Sequence, residues 1–262
     1  MSEQLVEYAC SDFVATITLN RPDKLNAVND DMVRQIAAAL KQFDTDNDAH
    51  VAILCGKGRA FSTGADVRQR QLRSREEFAR HGGAQAQDAS SHDLLLHTVN
   101  WKPVIAAVHG YVMGLSLGLM LECDLIVAEK GTKMQVTETP RGLSGAKYWA
   151  LLNFRGGGAF ASDVALTGRF FTAEEARAAN VIERLAAPGT LMETARALAA
   201  DVAANPPLGV RSTIRARRYE LEKLSRDVLL QVNLAKLHLT EDFRESALAF
   251  VEKRKAGPYK AR

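Results

Sequence analysis

The segment that most constrains the fold follows a short apolar run, Val51–Gly56, which is typical of a buried strand. It reads Arg59-Ala60-Phe61-Ser62-Thr63-Gly64-Ala65-Asp66. Its small residues let the backbone approach a bulky group, and Asp66 is suited to cap the segment that follows. A tight turn of this kind leaves backbone N–H groups pointing outward, where they can stabilise a developing oxyanion. Taken alone, the segment also fits an ordinary glycine-rich turn between a strand and a helix.

A second segment has the same design. The apolar run Val104–Val108 is followed by His109-Gly110-Tyr111-Val112-Met113-Gly114-Leu115-Ser116 and then by a helical stretch over 117–124. Two strand–turn–helix units can supply two N–H donors from different parts of the chain. The pair is therefore a stronger indication of an oxyanion-binding site than either turn alone.

Four segments, in this order, resemble the crotonase superfamily, also called the enoyl-CoA hydratase/isomerase family. They are Asn20-Arg21-Pro22-Asp23-Lys24-Leu25-Asn26-Ala27, the two turns above, and Phe250-Val251-Glu252-Lys253-Arg254-Lys255. The resemblance covers nearly the whole chain. It implies an α/β fold in which residues 1–204 form a spiral of ββα units that holds coenzyme A and the active site. Residues 205–262 would then form a helical region that packs across a trimer interface.

Composition places the chain among ordinary globular proteins of one or two domains. It has 262 residues, of which 47% are hydrophobic and 25% charged, and a net charge of +3. Cys10, Cys55 and Cys123 are scattered, so we expect reduced thiols, and neither cysteine nor histidine spacing indicates a metal site. The first residues lack a signal peptide, which predicts a cytoplasmic protein. Glycines and His109 interrupt the apolar stretch 104–121, so no membrane span is expected.

The apolar periodicity also predicts the elements between the motifs. Strands are expected over 5–9, 13–19, 51–56, 104–108, 124–128, 133–136 and 181–185. Helices are expected over 30–43, from a capping box at 172–175 to about 180, and from 190 onward, with a break at 205–207 and a long helix over 225–250. Residues 67–91, rich in arginine and glutamine, are interpreted as a mobile lid.

The resemblance implies an acyl-CoA thioester as substrate and no cofactor beyond its coenzyme A moiety. The thioester oxygen would accept hydrogen bonds from the backbone N–H groups of Ala65 and Leu115. Family members usually have glycine where this chain has Leu115, a departure that affects pocket shape more than the donor. Coenzyme A contacts are implied for the residues that match the family's binding segments: Lys24, Leu25, Ala27, Ser62, Ala65, Asp66 and, from a neighbouring subunit, Lys253.

Hydratases of the family use two glutamates, and here the first of those positions falls on Gly118 and the second on Glu138. We therefore predict Glu138 as the single acid–base group. Glu122, one helical turn beyond Gly118, is interpreted as a salt bridge or helix cap. Arg141 could cap a helix, face solvent or pair with an acidic acyl group.

These features predict an enoyl-CoA hydratase/isomerase-type enzyme, of the kind found in fatty acid metabolism, that works through an enolate as a homotrimer or homohexamer. Three alternatives of the same fold remain: a CoA-thioester hydrolase, a lyase or a dehydratase. A further alternative is an RNA-binding family member, because four arginines cluster along one predicted helix: Arg211, Arg215, Arg217 and Arg218. The same cluster also fits a solvated helix face.

Overall fold

The computed structural model describes residues 3–70, 72, 76–77, 94–233 and 236–262. Its larger sheet has six strands, whose spatial order follows the chain: β1 (Val6–Ser11), β2 (Val14–Leu19), β3 (Val51–Gly56), β4 (Val104–Val108), β6 (Leu125–Glu129) and β9 (Arg184–Ala186). β1 and β2 form an antiparallel hairpin, and the remaining pairs are parallel. A smaller sheet contains β5 (Tyr111–Met113), β7 (Lys133–Gln135) and β8 (Phe170–Thr172).

Nine helices lie among the described residues. They are α1 (Asp30–Thr45), α2 (Val67–Arg70), α3 (Leu115–Glu122), α4 (Ala146–Phe154), α5 (Gly158–Thr167), α6 (Ala173–Ala178), α7 (Leu191–Ala203), α8 (Pro207–Asn233) and α9 (Glu241–Val251). The predicted capping box is confirmed, since Thr172 and Glu175 each bind the other's backbone N–H at the start of α6.

Both faces of the larger sheet are covered, which explains why its central strands are apolar throughout. One face packs against the apolar stripe of α1, including Ile36 and Leu40. The other face, with Ile53 and Ile105, packs against Leu198 and its neighbours on α7. This double cover fixes the carboxyl ends of β3 and β4, where the two glycine turns begin.

The predicted long helix over 225–250 is wrong. α8 ends at Asn233, and Lys236 adopts a left-handed conformation with φ of 44°. Thr240 then starts α9 by accepting a hydrogen bond from the Phe243 N–H at 3.2 Å. A local N-cap therefore overrides the helical periodicity. The strand predicted over 181–185 is shorter and lies at Arg184–Ala186.

The interpretation of the arginine cluster as a solvated helix face is wrong for Arg217 and Arg218, whereas Arg215 is exposed. Arg218 is buried, and its guanidinium donates to the Val99 carbonyl at 2.8 Å and to Asp124 at 2.5 Å. Arg217 also pairs with Asp124, at 3.2 Å. These contacts join α8 to the segment before β4 and to the start of β6, so Arg217 and Arg218 have an internal role.

The remaining predictions concern the cysteines, membrane-spanning helices, the lid and the domain boundary. Cys55 and Cys123 are buried and Cys10 is exposed, and all three are free thiols. In the part of the chain that the structure describes, no helix has both the length and the apolar character needed to cross a membrane. Apart from α2, the lid predicted over 67–91 falls mostly outside the described residues. The division of the chain near residue 205 stays a prediction.

Candidate active site

The two glycine turns meet and are joined by backbone hydrogen bonds. The Ser62 N–H donates to the Tyr111 carbonyl at 3.1 Å, and the Met113 N–H donates to the Ser62 carbonyl at 3.2 Å. Gly64, with φ of +84°, lies so close that a Cβ there would collide with the Met113 carbonyl and lie 3.5 Å from the Leu115 nitrogen. Only glycine satisfies both the backbone angle and this close approach.

Two buried serines lock this junction. The Ser62 hydroxyl donates to the Asn26 carbonyl at 2.7 Å and accepts from the Gly64 N–H at 3.1 Å. The Ser116 hydroxyl bonds to the Ser62 carbonyl at 2.8 Å and to the Met113 carbonyl at 2.9 Å. Hydrogen bonds within the protein therefore hold the two turns against each other.

The N–H groups of Ala65 and Leu115 remain as donors. Ala65 pairs with Val28 in a bridge that uses only the neighbouring groups, the Gly64 carbonyl and the Asp66 N–H. Leu115 is the first residue of α3, where a helix has no internal acceptor. Neither N–H has a hydrogen-bond acceptor among the described residues. The two predicted oxyanion donors thus lie on adjoining turns.

Glu138 lies beside the second turn. A Cβ placed on Gly114 would be 3.0 Å from Oε1 and 3.5 Å from Oε2 of Glu138. Gly114 directly precedes Leu115, so the structure brings the predicted acid–base group to the predicted oxyanion donors. Burial raises the pKa of the Glu138 carboxyl above its ordinary value, and a hydrogen bond from Tyr148 and the charge of Arg141 oppose that rise.

Tyr148 is the site residue that the sequence analysis missed. Its hydroxyl donates to Oε1 of Glu138 at 2.7 Å, and its ring is buried in the core. The ring lies over Gly118, since a Cβ there would be 3.3 Å from Cε1 of Tyr148. The position that matches the family's first glutamate is therefore covered by a tyrosine. Nothing in the sequence connects Gly118 with a residue on α4, because the contact depends on how α3 and α4 pack.

Glu122 has the structural role that was predicted for it. Its carboxylate is buried, pairs with Lys147 at 2.7 Å and accepts a hydrogen bond from the Leu95 N–H at 3.1 Å. Both of its oxygens are thus engaged away from the two turns, whereas the Glu138 carboxylate lies beside the second of them.

The turn that follows Glu138 packs against α9 of the same chain. The Pro140 carbonyl accepts hydrogen bonds from the Ser246 hydroxyl at 3.2 Å and from the Tyr259 hydroxyl at 3.1 Å. The Arg141 guanidinium lies 4.1 Å from the centre of the Phe250 ring. Lys253 follows α9 and is exposed, and its assignment to a neighbouring subunit's site stays a prediction.

The segment predicted to bind coenzyme A forms a tight turn beside Ala65, the first predicted oxyanion donor. Lys24 ends a short 3-10 helix and is exposed, whereas Leu25 adopts a left-handed conformation with φ of 49° and is half-buried, as is Ala27. Asp66 pairs with Arg21 at 2.9 Å and accepts from the Gln69 N–H at 3.4 Å, which agrees with its predicted capping role. Ser62 is fully buried beneath this turn.

Comparisons with known proteins show which family and which relatives this chain resembles. The family model described as "Enoyl-CoA hydratase/isomerase" matches residues 10–260. A Rhizobium meliloti protein named "Probable enoyl-CoA hydratase" is 34% identical over 250 residues, which cover 93% of each chain. The 2,3-dehydroadipyl-CoA hydratase of Escherichia coli is 32% identical over 251 residues, covering 92% of this chain and 93% of its own.

The likeness extends to solved structures. Carnitinyl-CoA hydratase from Mycobacterium avium superposes with a TM-score of 0.82 at 28% identity, and the match covers 100% of both chains. The resemblance inferred from four short segments is thereby confirmed over the full length, and the predicted fold class with it.

Proposed function

Because this chain belongs to the enoyl-CoA hydratase/isomerase family, whose members act on acyl-CoA thioesters, we propose that Glu138 moves a proton on the acyl chain while Ala65 and Leu115 hold the thioester oxygen. The single observation behind this assignment is the placement of the Glu138 carboxylate beside Gly114, one residue before the Leu115 N–H. A base in that position can reach the carbon next to the thioester carbonyl.

The proposed chemistry begins with removal of a proton from the carbon adjacent to the thioester. The electron pair of the broken C–H bond forms the enolate, and the charge on its oxygen is stabilised by the N–H groups of Ala65 and Leu115. Each such donor contributes roughly 2.7–4 kcal/mol in other enzymes. Glu138 then returns the proton to another carbon, which shifts the double bond and regenerates the carboxylate.

The environment of Glu138 suits this role. Burial raises the pKa of its carboxyl, so the carboxylate is a stronger base than an exposed glutamate. Glu122, the other carboxylate near α3, is committed to Lys147. With one acid–base carboxylate, proton transfer between carbons is favoured over the addition of water. The hydratase names of the relatives describe those proteins, and the balance between the two reactions is what the experiment measures.

A substrate panel tests the proposal. The protein is incubated with 2-enoyl-, 3-enoyl- and 3-hydroxyacyl-CoA thioesters in deuterated water and in water enriched in oxygen-18, and the products are analysed by mass spectrometry. We expect deuterium at the carbon next to the thioester, or conversion of 3-enoyl- to 2-enoyl-CoA, faster than the hydration of crotonyl-CoA. Faster incorporation of oxygen-18 than of deuterium would show that another group holds a water, and the one-carboxylate mechanism would be wrong. Turnover of the thioester to free acid would favour the hydrolase alternative.

For coenzyme A binding, we propose the turn formed by Lys24, Leu25 and Ala27, together with Ala65, Asp66 and, after α9, Lys253. Lys24 and Lys253 are exposed and positively charged, so they suit the phosphates. Ser62 contributes by supporting the turn from beneath. Cytoplasmic location stays a prediction.

We also propose that the chain assembles as a homotrimer or a dimer of trimers. Large apolar side chains are exposed on α5, β8 and α8: Leu166 at 76%, Phe170 at 52%, Leu208 at 68% and Leu230 at 63%. Apolar surface of this kind is typical of a protein–protein contact. Multi-angle light scattering at micromolar concentration should give three or six times the 28.6 kDa of one chain, and a monomer would contradict the proposal.

A further inference from the structure

Tyr148 has no role in the mechanism proposed above, yet its hydroxyl touches the proposed acid–base group. The ring is buried between α3 and α4, with 8% of the residue exposed, so the hydroxyl cannot swing away into solvent. Its 2.7 Å hydrogen bond to Oε1 is shorter than the 3.4 Å hydrogen bond that the same carboxylate accepts from Thr137. Burial, together with the neighbouring Glu138, holds the pKa of the phenol well above its ordinary value, so the hydroxyl stays protonated and remains a donor.

Gly118 makes this arrangement possible. A Cβ at that position would be 3.3 Å from Cε1 and 3.8 Å from the hydroxyl of Tyr148. Any longer side chain would need the space that the ring occupies. Gly118 and Tyr148 therefore form a complementary pair: a residue without a side chain on α3, and an aromatic ring on α4 that fills the space left above it.

The two oxygens of Glu138 accept side-chain hydrogen bonds of different length as a result. Oε1 accepts the 2.7 Å hydrogen bond from Tyr148, whereas Oε2 accepts a longer one, at 3.4 Å, from the Thr137 hydroxyl. A short hydrogen bond through one oxygen restrains the carboxylate from rotating about its terminal bond, and the second oxygen then has a preferred direction.

We propose that Tyr148 is a positioning residue of the active site: seated over Gly118, it holds Oε1 of Glu138 so that Oε2 exchanges the proton with the acyl chain. This inference rests on the proposed function of Glu138. In addition, the Tyr148 phenol orients the Glu138 carboxylate. The phenol also favours the ionised form of Glu138, since a hydrogen bond donated to a carboxylate stabilises its charge.

The experiment compares Tyr148→Phe with a matched control. Tyr148→Phe keeps the ring and removes the hydroxyl. Tyr8→Phe removes a hydroxyl that also donates to a carboxylate, Oδ2 of Asp46 at 2.5 Å, at a place outside the site. For both variants, kcat and KM are measured from pH 5 to 9 with the thioester that the substrate panel identifies.

For Tyr148→Phe we expect kcat to fall about tenfold near neutral pH, the scale of a lost hydrogen bond to a charged group, with KM changed less than about threefold. The acidic limb of the kcat profile should move to higher pH by about one unit, because without the donor more of Glu138 is protonated at any given pH. Tyr8→Phe should leave kcat and the profile unchanged. Wild-type kcat and profile in Tyr148→Phe would overturn the inference, as would equal losses in both variants that track their melting temperatures.

A second measurement does not depend on turnover. Side-chain carboxyl signals of protein labelled with carbon-13 glutamate are followed by NMR as a function of pH, and Glu138→Gln identifies the Glu138 signal. The midpoint of that signal should lie higher in Tyr148→Phe than in the wild type. An unchanged midpoint overturns the inference even if the substrate panel supports the proposed function. A raised midpoint supports the coupling of Tyr148 to Glu138 even if the panel assigns a different reaction.

Discussion

The proposed oxyanion donors and the Glu138 carboxylate lie close together but are held in place in different ways. The donor turns at Gly64 and Gly114 are fixed by main-chain hydrogen bonds and by two buried serines that lie next to them. Glu138 is held by side-chain hydrogen bonds, chiefly from Tyr148 on α4, and the turn that follows it packs against α9.

This difference separates two kinds of control over the reaction. Backbone donors cannot be removed by an ordinary substitution, so they change only when the fold of the turns changes. The strength and direction of the carboxylate depend on side chains that a single substitution can replace. We therefore expect a substitution in the donor turns either to leave kcat unchanged or to remove most of it. Substitutions around Glu138 should instead lower kcat by graded amounts.

The largest effect is expected at the carboxylate itself. Glu138→Gln keeps the shape of the side chain and removes the titrating proton, so kcat should fall at least about a hundredfold. Affinity for coenzyme A should change little, because the proposed contacts with it lie elsewhere. Steady-state kinetics and calorimetric titration with coenzyme A measure the two effects. Glu174→Gln, at an exposed glutamate outside the site, is the control, and wild-type turnover in Glu138→Gln would refute the assignment.

The backbone half of the site is tested at Gly64. Gly64→Ala would push a Cβ into the Met113 carbonyl beside the Leu115 N–H, so we expect kcat to fall by roughly a hundredfold to a thousandfold, as when an oxyanion donor is lost. Gly189→Ala is a matched control, because Gly189 has φ of +82° but nothing within 4 Å of its added Cβ.

The control separates backbone strain from displacement of the donor. An alanine in this left-handed region costs about 1–2 kcal/mol of stability at either position, which thermal unfolding should register in both variants. Only Gly64→Ala should lose kcat. Equal activity in the two folded variants would show that the junction of the turns does not set the rate.

The same contrast explains which features the sequence could predict. The turns at Gly64 and Gly114 were predictable because a strand, small residues and a helix start follow one another within a few positions. The capping box at Thr172 was predictable for the same reason. Glu138 required the resemblance, since a glutamate before a proline has no local signature of chemistry.

The contacts that were missed join different elements of the fold. Tyr148 reaches Glu138 from ten positions away only because α4 crosses α3 above Gly118. The sequence pattern of its helix predicts that Arg218 lies on the surface. Arg218 is instead buried, and it donates hydrogen bonds to a carbonyl and a carboxylate more than ninety positions away. Periodicity describes one element at a time, so it cannot show what another element brings against it.

The smallest effect is expected where α9 meets the Glu138 turn. Ser246→Ala and Tyr259→Phe each remove one of two hydrogen bonds to the Pro140 carbonyl, and the other hydroxyl still satisfies that acceptor. Each single variant should therefore keep kcat within about twofold and lose no more than about 1 kcal/mol of stability. The double variant removes both donors and loosens the contact between α9 and the turn. Its kcat should fall a few-fold, which is more than the product of the two single losses. Chemical denaturation and steady-state kinetics on the four proteins complete the cycle. Strictly multiplicative losses would show that α9 covers the turn without helping to hold Glu138 in place.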